Sequence, residues 1–205
     1  MMSAISRAAF RQPPLSPIQT GRPVYAIKTG KFVYGIRHAE AWHNVLYTVF
    51  GETVFEEYPD TTLTANGMKQ AATTKVPPVE LVLVSPLLRT LQTANIMYPN
   101  TPQIALECLK EYPQKKHLSN KRSSASLLKR LFPKVDFNDL QSDEQPWPNL
   151  VSIDQNMQTA KDWIRNVPEN RIAVITHSTW LRYYMTGKIQ EFPELEHCKV
   201  YNLNT

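Results

Sequence analysis

The sequence predicts an α/β fold: a three-layer sandwich with a mostly parallel central sheet and helices on both faces. Three short apolar runs, at residues 32–36, 81–84 and 171–176, have the length and β-branched content of buried strands. Segments with helical signals lie between these runs and after the last one. Strands that alternate with helices are typical of a sheet whose strands run parallel.

Two helices are predicted on either side of the second strand. Residues 64–74 begin at Thr64, a residue type that favours the N-cap position. Residues 86–97 begin with Pro86, whose fixed φ angle and missing N–H suit the first helical position.

Three further helices are predicted later in the chain. Residues 153–167 carry apolar side chains at helical spacing, and residues 178–186 directly follow the third strand. A short helix is predicted at residues 123–132, inside the charged, proline-containing stretch 112–150. In open α/β folds such long connections often cover the site at the carboxyl ends of the strands.

The chain divides into a basic N-terminal tail at residues 1–30 and one domain at residues 31–205. No Asp or Glu precedes Glu40, while the tail contains several arginines and prolines. An acid-free, arginine-containing start is typical of an organelle transit peptide, and it is also compatible with a tail that docks loosely.

The composition is that of a globular enzyme: 42% of the 205 residues are hydrophobic and 20% are charged. Cys108 and Cys198 are too few for a disulfide framework, which favours a reducing compartment and hence a cytoplasmic location. No apolar run approaches the ~20 residues that span a bilayer, so no membrane association is expected. The net charge of +5 favours acidic substrates modestly, and the basic residues in 115–130 are interpreted as a solvated loop rather than a nucleic-acid site.

Each predicted strand is followed by a polar residue suited to binding an anion. Arg37 and His38 follow the first strand, Arg89 lies shortly after the second, and His177 follows the third. Because the carboxyl ends of parallel strands meet at one edge, we expect two arginines and two histidines to converge there. The arginine fork matches phosphate oxygens, and a histidine can act as the nucleophile. The chain lacks the GxxxxGK[ST] motif, so an ATPase or kinase has little support.

Four segments resemble the histidine phosphatase superfamily, which is also called phosphoglycerate mutase-like. Arg37-His38-Ala39-Glu40 is similar to its RHG[E] signature, and Asn44 falls where that signature continues. Residues 60–71 are similar to the pattern DxxLTxxGxxQA, and residues 85–94 to SPLxRTxQTA. The resemblance runs from about residue 31 to residue 182 and implies the phosphoglycerate mutase-like fold.

The resemblance also implies roles for the residues at the strand ends. His38 would attack phosphorus and become phosphohistidine, a covalent intermediate. Arg37, Arg89 and His177 would hold the phosphate oxygens, and Asn44 would add a weaker contact. Ser178 stands where the family has glycine, and its hydroxyl is expected to add a phosphate contact.

The family supplies the leaving group with a proton from a carboxylate between the second and third of these strands. Glu111 matches the L-x-E segment of the family, and Glu107, one helical turn earlier, is the rival. Glu40 is interpreted as a residue that orients its loop or caps the following helix. His117 and His197 have no metal-ligand spacing, so neither a metal nor any other cofactor is expected.

Three functions stay open at this point. The first is a phosphomonoester hydrolase that acts on a small phosphorylated substrate, the type called histidine acid phosphatase. The second is a phosphoglycerate mutase, and the third is a catalytically weak binding module that keeps the fold. Ala39 replaces a family glycine, and RHAE followed by His-Asn resembles a eukaryotic branch of the superfamily.

Overall fold

The computed structural model describes residues 30–112, 117–145, 151–189 and 194–204. Its central sheet has six strands in the order β4-β3-β2-β5-β1-β6. The strands are β1 Phe32–Arg37, β2 Leu81–Val84, β3 Gln103–Ala105, β4 Val135–Asp136, β5 Arg171–Thr176 and β6 Val200–Asn202. All three strands predicted from the sequence are present.

The pairing confirms a mostly parallel sheet. β1 and β5 run parallel with Arg37 opposite Thr176, and β2 and β5 run parallel with Val84 opposite Ile175. The β2–β3 and β3–β4 pairs are parallel as well, whereas β6 runs antiparallel to β1. The carboxyl ends of β1, β5 and β2 are therefore immediate neighbours.

Seven α-helices connect or flank these strands within the described residues. They are α1 Trp42–Phe50, α2 Thr53–Glu57, α3 Ala65–Thr73, α4 Leu88–Met97, α5 Ala125–Leu131, α6 Ile153–Asn166 and α7 Ser178–Thr186. Two short 3₁₀ turns, Glu107–Leu109 and Leu118–Asn120, lie between β3 and α5. None of the helices in these ranges is long and apolar enough to cross a membrane.

The first residues of α3 and α4 can be compared with the helix starts that the sequence predicts. Thr64 is the N-cap of α3, as predicted, and its hydroxyl oxygen accepts a hydrogen bond from the N–H of Gly67 at 2.9 Å. The prediction for Pro86 is wrong, because α4 begins at Leu88. Leu87 is its N-cap and keeps an extended backbone (φ −77°, ψ 142°), so Pro86 lies in the turn before the helix.

Helices cover both faces of the sheet, as the sequence predicts. Side chains along each strand alternate between two apolar clusters. On one face the sheet packs against α6 and α7, which contribute Met157 and Trp180. On the other face it packs against α4 and α5, which contribute Leu91 and Leu128. All four side chains are fully buried, which stabilises the fold by roughly 2 kcal/mol each.

The predicted N-terminal tail lies outside the described residues except for Gly30. Lys31 directly precedes β1, and its ammonium group donates to the Ile164 carbonyl at 2.9 Å and to the Arg165 carbonyl at 3.2 Å. Because these carbonyls belong to the last turn of α6, the cation stabilises the carboxyl end of that helix.

Candidate active site

The three strand ends bring the predicted histidines together. The N–H of His38 donates to the Thr176 carbonyl at 3.0 Å, which extends the β1–β5 pairing by one residue past β1. His177 is the N-cap of α7 and follows β5 directly. The centroids of the His38 and His177 rings are 5.2 Å apart, and the rings meet edge to face. Both side chains are buried.

His38 is held with one ring nitrogen free. Its Nδ1 lies 2.7 Å from the carbonyl oxygen of Ala39, so Nδ1–H is the donor and Nε2 keeps its lone pair. Burial lowers the pKa of His38 well below the ordinary 6.5, and the neighbouring Arg89, His177 and Arg37 lower it further. At neutral pH the ring is uncharged and Nε2 can act as a nucleophile.

His177 has a different arrangement. Its Nε2 lies 2.9 Å from the hydroxyl of Ser85, the first residue after β2. The Ser85 oxygen also accepts from the N–H of Leu87 at 3.5 Å, and the Ser85 hydroxyl hydrogen can be donated to His177 Nε2. The proton of the neutral ring then lies on Nδ1, which is buried and has no hydrogen-bond partner among the described residues. Burial, followed by the charge of Arg89, lowers the pKa of His177 well below 6.5 and keeps the ring neutral.

The two predicted arginines are buried and fixed by their terminal nitrogens. Arg37 donates through Nη1 to the Leu195 carbonyl and through Nη2 to a carboxylate oxygen of Glu194 at 2.6 Å. Arg89 donates through Nη1 to the Ser119 carbonyl at 2.7 Å and through Nη2 to the side chain of Asn120 at 2.9 Å. The Nε of each arginine is buried without a partner in the described part of the chain. Arg37, Arg89 and His177 thus each retain one buried nitrogen to offer to an anion.

Glu111 and Glu107 lie in different surroundings. The Glu111 carboxylate accepts from the N–H groups of Thr179 at 3.3 Å and Trp180 at 3.2 Å, in the first turn of the helix that follows His177. Burial raises the pKa of Glu111, which favours a protonated acid. Glu107 instead forms ion pairs with Lys110 at 2.5 Å and Arg122 at 2.6 Å. Burial opposes ionisation of Glu107, yet these two cations lower its pKa overall.

Asn44 and Ser178, the weaker predicted phosphate contacts, use part of their hydrogen-bonding capacity within the protein. Asn44 accepts from the N–H of Ala41 at 3.0 Å through its side-chain oxygen, which leaves its NH₂ group as a donor. The Ser178 oxygen accepts from the N–H of Leu195 at 2.8 Å, which leaves its hydroxyl hydrogen. Their roles toward phosphate stay predictions.

Glu40 acts on the loop that carries His38. Its carboxylate accepts from the hydroxyl of Thr64 at 2.5 Å, and its carbonyl accepts from the N–H of Thr64 at 3.1 Å. This contact ties the loop to the start of α3, in agreement with the interpretation of Glu40 as a loop-orienting residue.

Two further histidines, His43 and His197, lie beside His38, and neither is among the site residues predicted from the sequence. The His43 ring centroid lies 5.7 Å from that of His38, and the His197 centroid lies 5.5 Å from it. His43 Nδ1 contacts the Thr61 hydroxyl at 2.6 Å, and His197 Nδ1 donates to the His38 carbonyl at 2.8 Å. His197 lies at the site because β6, which follows it, pairs with β1. This pairing cannot be predicted from the local sequence. In the described ranges no group of three or more His, Cys, Asp or Glu residues could hold a metal ion.

Comparison with known protein families gives a match over most of the chain. The family described as "Histidine phosphatase superfamily (branch 1)" matches residues 33–203. A "Phosphoglycerate mutase-like protein" of Arabidopsis thaliana is 27% identical over 194 residues and covers 71% of this chain and 70% of the relative. "Phosphoglycerate mutase-like protein 1" of the same plant is 29% identical and covers 71% of this chain and 67% of the relative.

Two solved structures share the fold. The ecdysone phosphate phosphatase from Bombix mori, in complex with tungstate, is 18% identical, covers 83% of this chain and 87% of that chain, and has a TM-score of 0.51. The phosphoserine phosphatase from Entamoeba histolytica, in complex with 3-phosphoglyceric acid, is 21% identical. It covers 82% of this chain and 88% of that chain, also with a TM-score of 0.51.

Proposed function

Because this chain belongs to the histidine phosphatase superfamily (branch 1), we propose that it is a phosphomonoester hydrolase that acts through a phosphohistidine on His38. The observation that carries the proposal is the pairing of a neutral nucleophile with buried donors. His38 keeps Nε2 free, and Arg37, Arg89 and His177 each retain a buried nitrogen without a partner in the described residues.

In the first step the lone pair of His38 Nε2 forms a bond to phosphorus. The bond from phosphorus to the ester oxygen breaks, and its electron pair stays on that oxygen. Glu111 gives its proton to this oxygen and becomes a carboxylate, so the alcohol leaves uncharged. In the second step Glu111 takes a proton from water, the water oxygen attacks phosphorus, and the bond to Nε2 breaks.

Arg37, Arg89 and His177 would stabilise the charge that develops on the three non-bridging oxygens. In a buried site each preorganised donor of this kind is worth about 3–4 kcal/mol of activation free energy. Asn44 and Ser178 would add donors at the edge of the phosphate. Neutral histidines suit these roles, since a protonated His38 has no lone pair to attack with.

The defining experiment compares the wild type with His38→Ala on a chromogenic phosphate ester and a panel of natural esters. We expect the wild type to release phosphate and His38→Ala to lose at least about 10³-fold in kcat. Quenching in alkali during turnover of a ³²P-labelled ester should trap a label on the wild type that is stable to base and labile to acid. His117→Gln, which removes a histidine outside the donor set, should retain that label.

Other outcomes of the same experiment would support the two alternatives. Transfer between positions of phosphoglycerate without net release of phosphate would indicate a mutase. Binding of phosphate esters without turnover of any of them would indicate a binding module, although buried donors around a free Nε2 are more than binding alone requires.

Four finer assignments are part of the proposal. The eukaryotic RHAE branch is supported by the plant relatives, and the histidine acid phosphatase type by the two neutral histidines. A small phosphorylated partner, rather than nucleic acid or membrane, is supported by the 3-phosphoglyceric acid in the Entamoeba histolytica structure. A cytoplasmic location is supported by two free buried cysteines, and a fluorescent fusion with and without residues 1–30 would test it against organelle targeting.

A further inference from the structure

The carboxylate of Glu194 binds Arg37, one of the predicted phosphate-binding residues, although Glu194 itself was not predicted as a site residue. Glu194 Oε2 accepts from Arg37 Nη2 at 2.6 Å. The Arg37 side chain is 4% exposed and the Glu194 side chain is 46% exposed, so the pair joins the buried site to its solvent side. A carboxylate on a phosphate-binding arginine takes hydrogen-bond capacity that an anionic substrate would otherwise use.

The backbone around Glu194 is fixed to the site. Leu195 donates its N–H to the Ser178 hydroxyl at 2.8 Å, and His197 donates to the His38 carbonyl at 2.8 Å. Cys198 donates its N–H to the Arg37 carbonyl at 3.0 Å. Because each bond ends on a residue at the end of β1 or at the start of α7, Glu194 is held beside the phosphate donors.

The charge of Glu194 reaches more than one of the residues at the site. Burial lowers the pKa of Arg89 to about 10, and the carboxylates of Asp60, Glu111 and Glu194 oppose that shift. Burial, followed by the charge of Arg37, lowers the pKa of His197, and Glu194 again opposes it. The Glu194 carboxylate therefore interacts electrostatically with Arg37, Arg89 and His197.

We propose that Glu194 is a specificity-determining residue, which selects phosphomonoesters with an uncharged or cationic alcohol part against esters that carry a carboxylate beside the phosphate. This inference rests on the proposed function. The two arginines balance the charge of a phosphate dianion, and the histidines are neutral, so the Glu194 carboxylate makes the occupied pocket net negative. A second negative charge on the substrate is then repelled, whereas a positive charge is attracted.

The same charge weakens the binding of the product. Inorganic phosphate competes with Glu194 for Arg37, so the carboxylate favours its release. Glu194→Gln keeps the shape of the side chain and a hydrogen-bond acceptor for Arg37 but removes the charge. The matched control is Glu196→Gln, since Glu196 is an exposed carboxylate on the same segment that pairs with Lys199 instead.

The first arm of the test measures kcat/KM on three two-carbon esters: ethyl phosphate, phosphoethanolamine and phosphoglycolate. Relative to ethyl phosphate, Glu194→Gln should raise the value for phosphoglycolate about fivefold and lower the value for phosphoethanolamine about fivefold. Glu196→Gln should leave both ratios within about twofold of the wild type. Ratios that are the same in Glu194→Gln as in the wild type would overturn the inference.

The second arm measures binding, which does not depend on turnover. Calorimetry on His38→Ala, with and without Glu194→Gln, gives affinities for inorganic phosphate and for the three esters. Removal of the charge should tighten phosphate binding about fivefold and shift the ester affinities in the same directions as above. If the wild type hydrolyses no ester, the proposed function fails, and these affinities still decide the inference: equal affinity ratios in both proteins would refute it.

Discussion

At the scale of single residues, the same imidazole tautomer leaves a different ring nitrogen available in His38 and in His177. The hydrogen bonds of His38 and of His177 both favour the tautomer that carries its proton on Nδ1. In His38 the proton is given to the Ala39 carbonyl, which leaves Nε2 as the nucleophile. In His177 the Ser85 hydroxyl occupies Nε2, which leaves Nδ1–H as the donor that we propose for phosphate. We therefore expect Ser85 to be a positioning residue that acts through His177.

Replacement of Ser85 by alanine removes the hydrogen bond to His177 Nε2, so the His177 proton should no longer be confined to Nδ1. We expect kcat to fall about 10-fold to 100-fold with little change in KM, because the donor matters most in the transition state. ¹⁵N NMR of the imidazole nitrogens should show a mixture of tautomers in the variant and one tautomer in the wild type. An unchanged ¹⁵N spectrum together with unchanged kcat would remove this role from Ser85.

Glu111 and Glu107 should give opposite results when each is changed to glutamine. Glu111→Gln removes the proposed proton donor, so hydrolysis of alkyl esters with poor leaving groups should slow far more than hydrolysis of nitrophenyl phosphate. Glu107→Gln should leave that ratio unchanged. It should instead lower the free energy of unfolding by about 2 kcal/mol, because Lys110 and Arg122 stay buried with a weaker partner. Equal slowing of all esters by Glu111→Gln would assign the acid role elsewhere.

At the scale of elements, α3 presses directly against the loop that carries the nucleophile. A Cβ atom added at Gly67 would lie 2.0 Å from the carbonyl oxygen of Glu40, which also accepts from the N–H of Thr64. Glycine is needed here for close approach of two backbones and not for a left-handed conformation. This close contact explains why the LTxxG motif has glycine at position 67.

Gly67→Ala should displace the loop that holds His38. We expect a loss of about 2 kcal/mol in the free energy of unfolding, measured by urea denaturation, and a fall in kcat at temperatures where the variant is still folded. Met68→Ala changes the exposed neighbour on the same helix and should stay within about 0.5 kcal/mol of the wild type. If the two variants are equally stable and active, the close approach of Gly67 to Glu40 affects neither stability nor catalysis.

The elements also show how far sequence reasoning extends. β1, β2 and β5 were predictable because each is a continuous apolar run, as buried parallel strands require. β3, β4 and β6 have two or three residues each, too few for a period to be read. Pro86 misled because a residue that suits the first helical turn also suits the turn before it. The elements with strong signals contain Arg37 and Arg89 or are followed directly by His38 and His177. Glu194 and His197 depend instead on the placement of β6.

At the scale of the whole molecule, several buried neutral histidines make stability depend on pH. Burial, and then the charge of Arg89, lower the pKa of His38, His43 and His177 well below 6.5. In the unfolded chain these groups titrate near 6.5, so below that pH the unfolded state binds more protons than the folded state. The free energy of unfolding is therefore level above about pH 6.5 and falls as the pH drops below it.

Each such histidine should cost about 1.4 kcal/mol for every pH unit below 6.5 until its lowered pKa is reached. Denaturation at pH 7.5 and pH 5.5 should show this loss in the wild type. His43→Gln, which keeps a polar partner for Thr61, should lose about 1.4 kcal/mol less between the two pH values. Carboxyl groups with raised pKa values, such as Glu111, change stability in the opposite sense, but their effect is common to both proteins. An identical loss in both would show that His43 titrates normally in the folded state.

β6 lies beside β1 in the sheet although it comes last in sequence among the six strands that the structure describes. On the ribosome, the nucleophile, both arginines and His177 are therefore made before the residues that fix the nucleophile's backbone. Until Cys198 and His197 emerge, the carbonyls of Arg37 and His38 lack these donors, and Glu194 has not reached Arg37. We expect a nascent chain to carry a complete set of side chains and still be catalytically silent, so that activity begins only when the last strand docks.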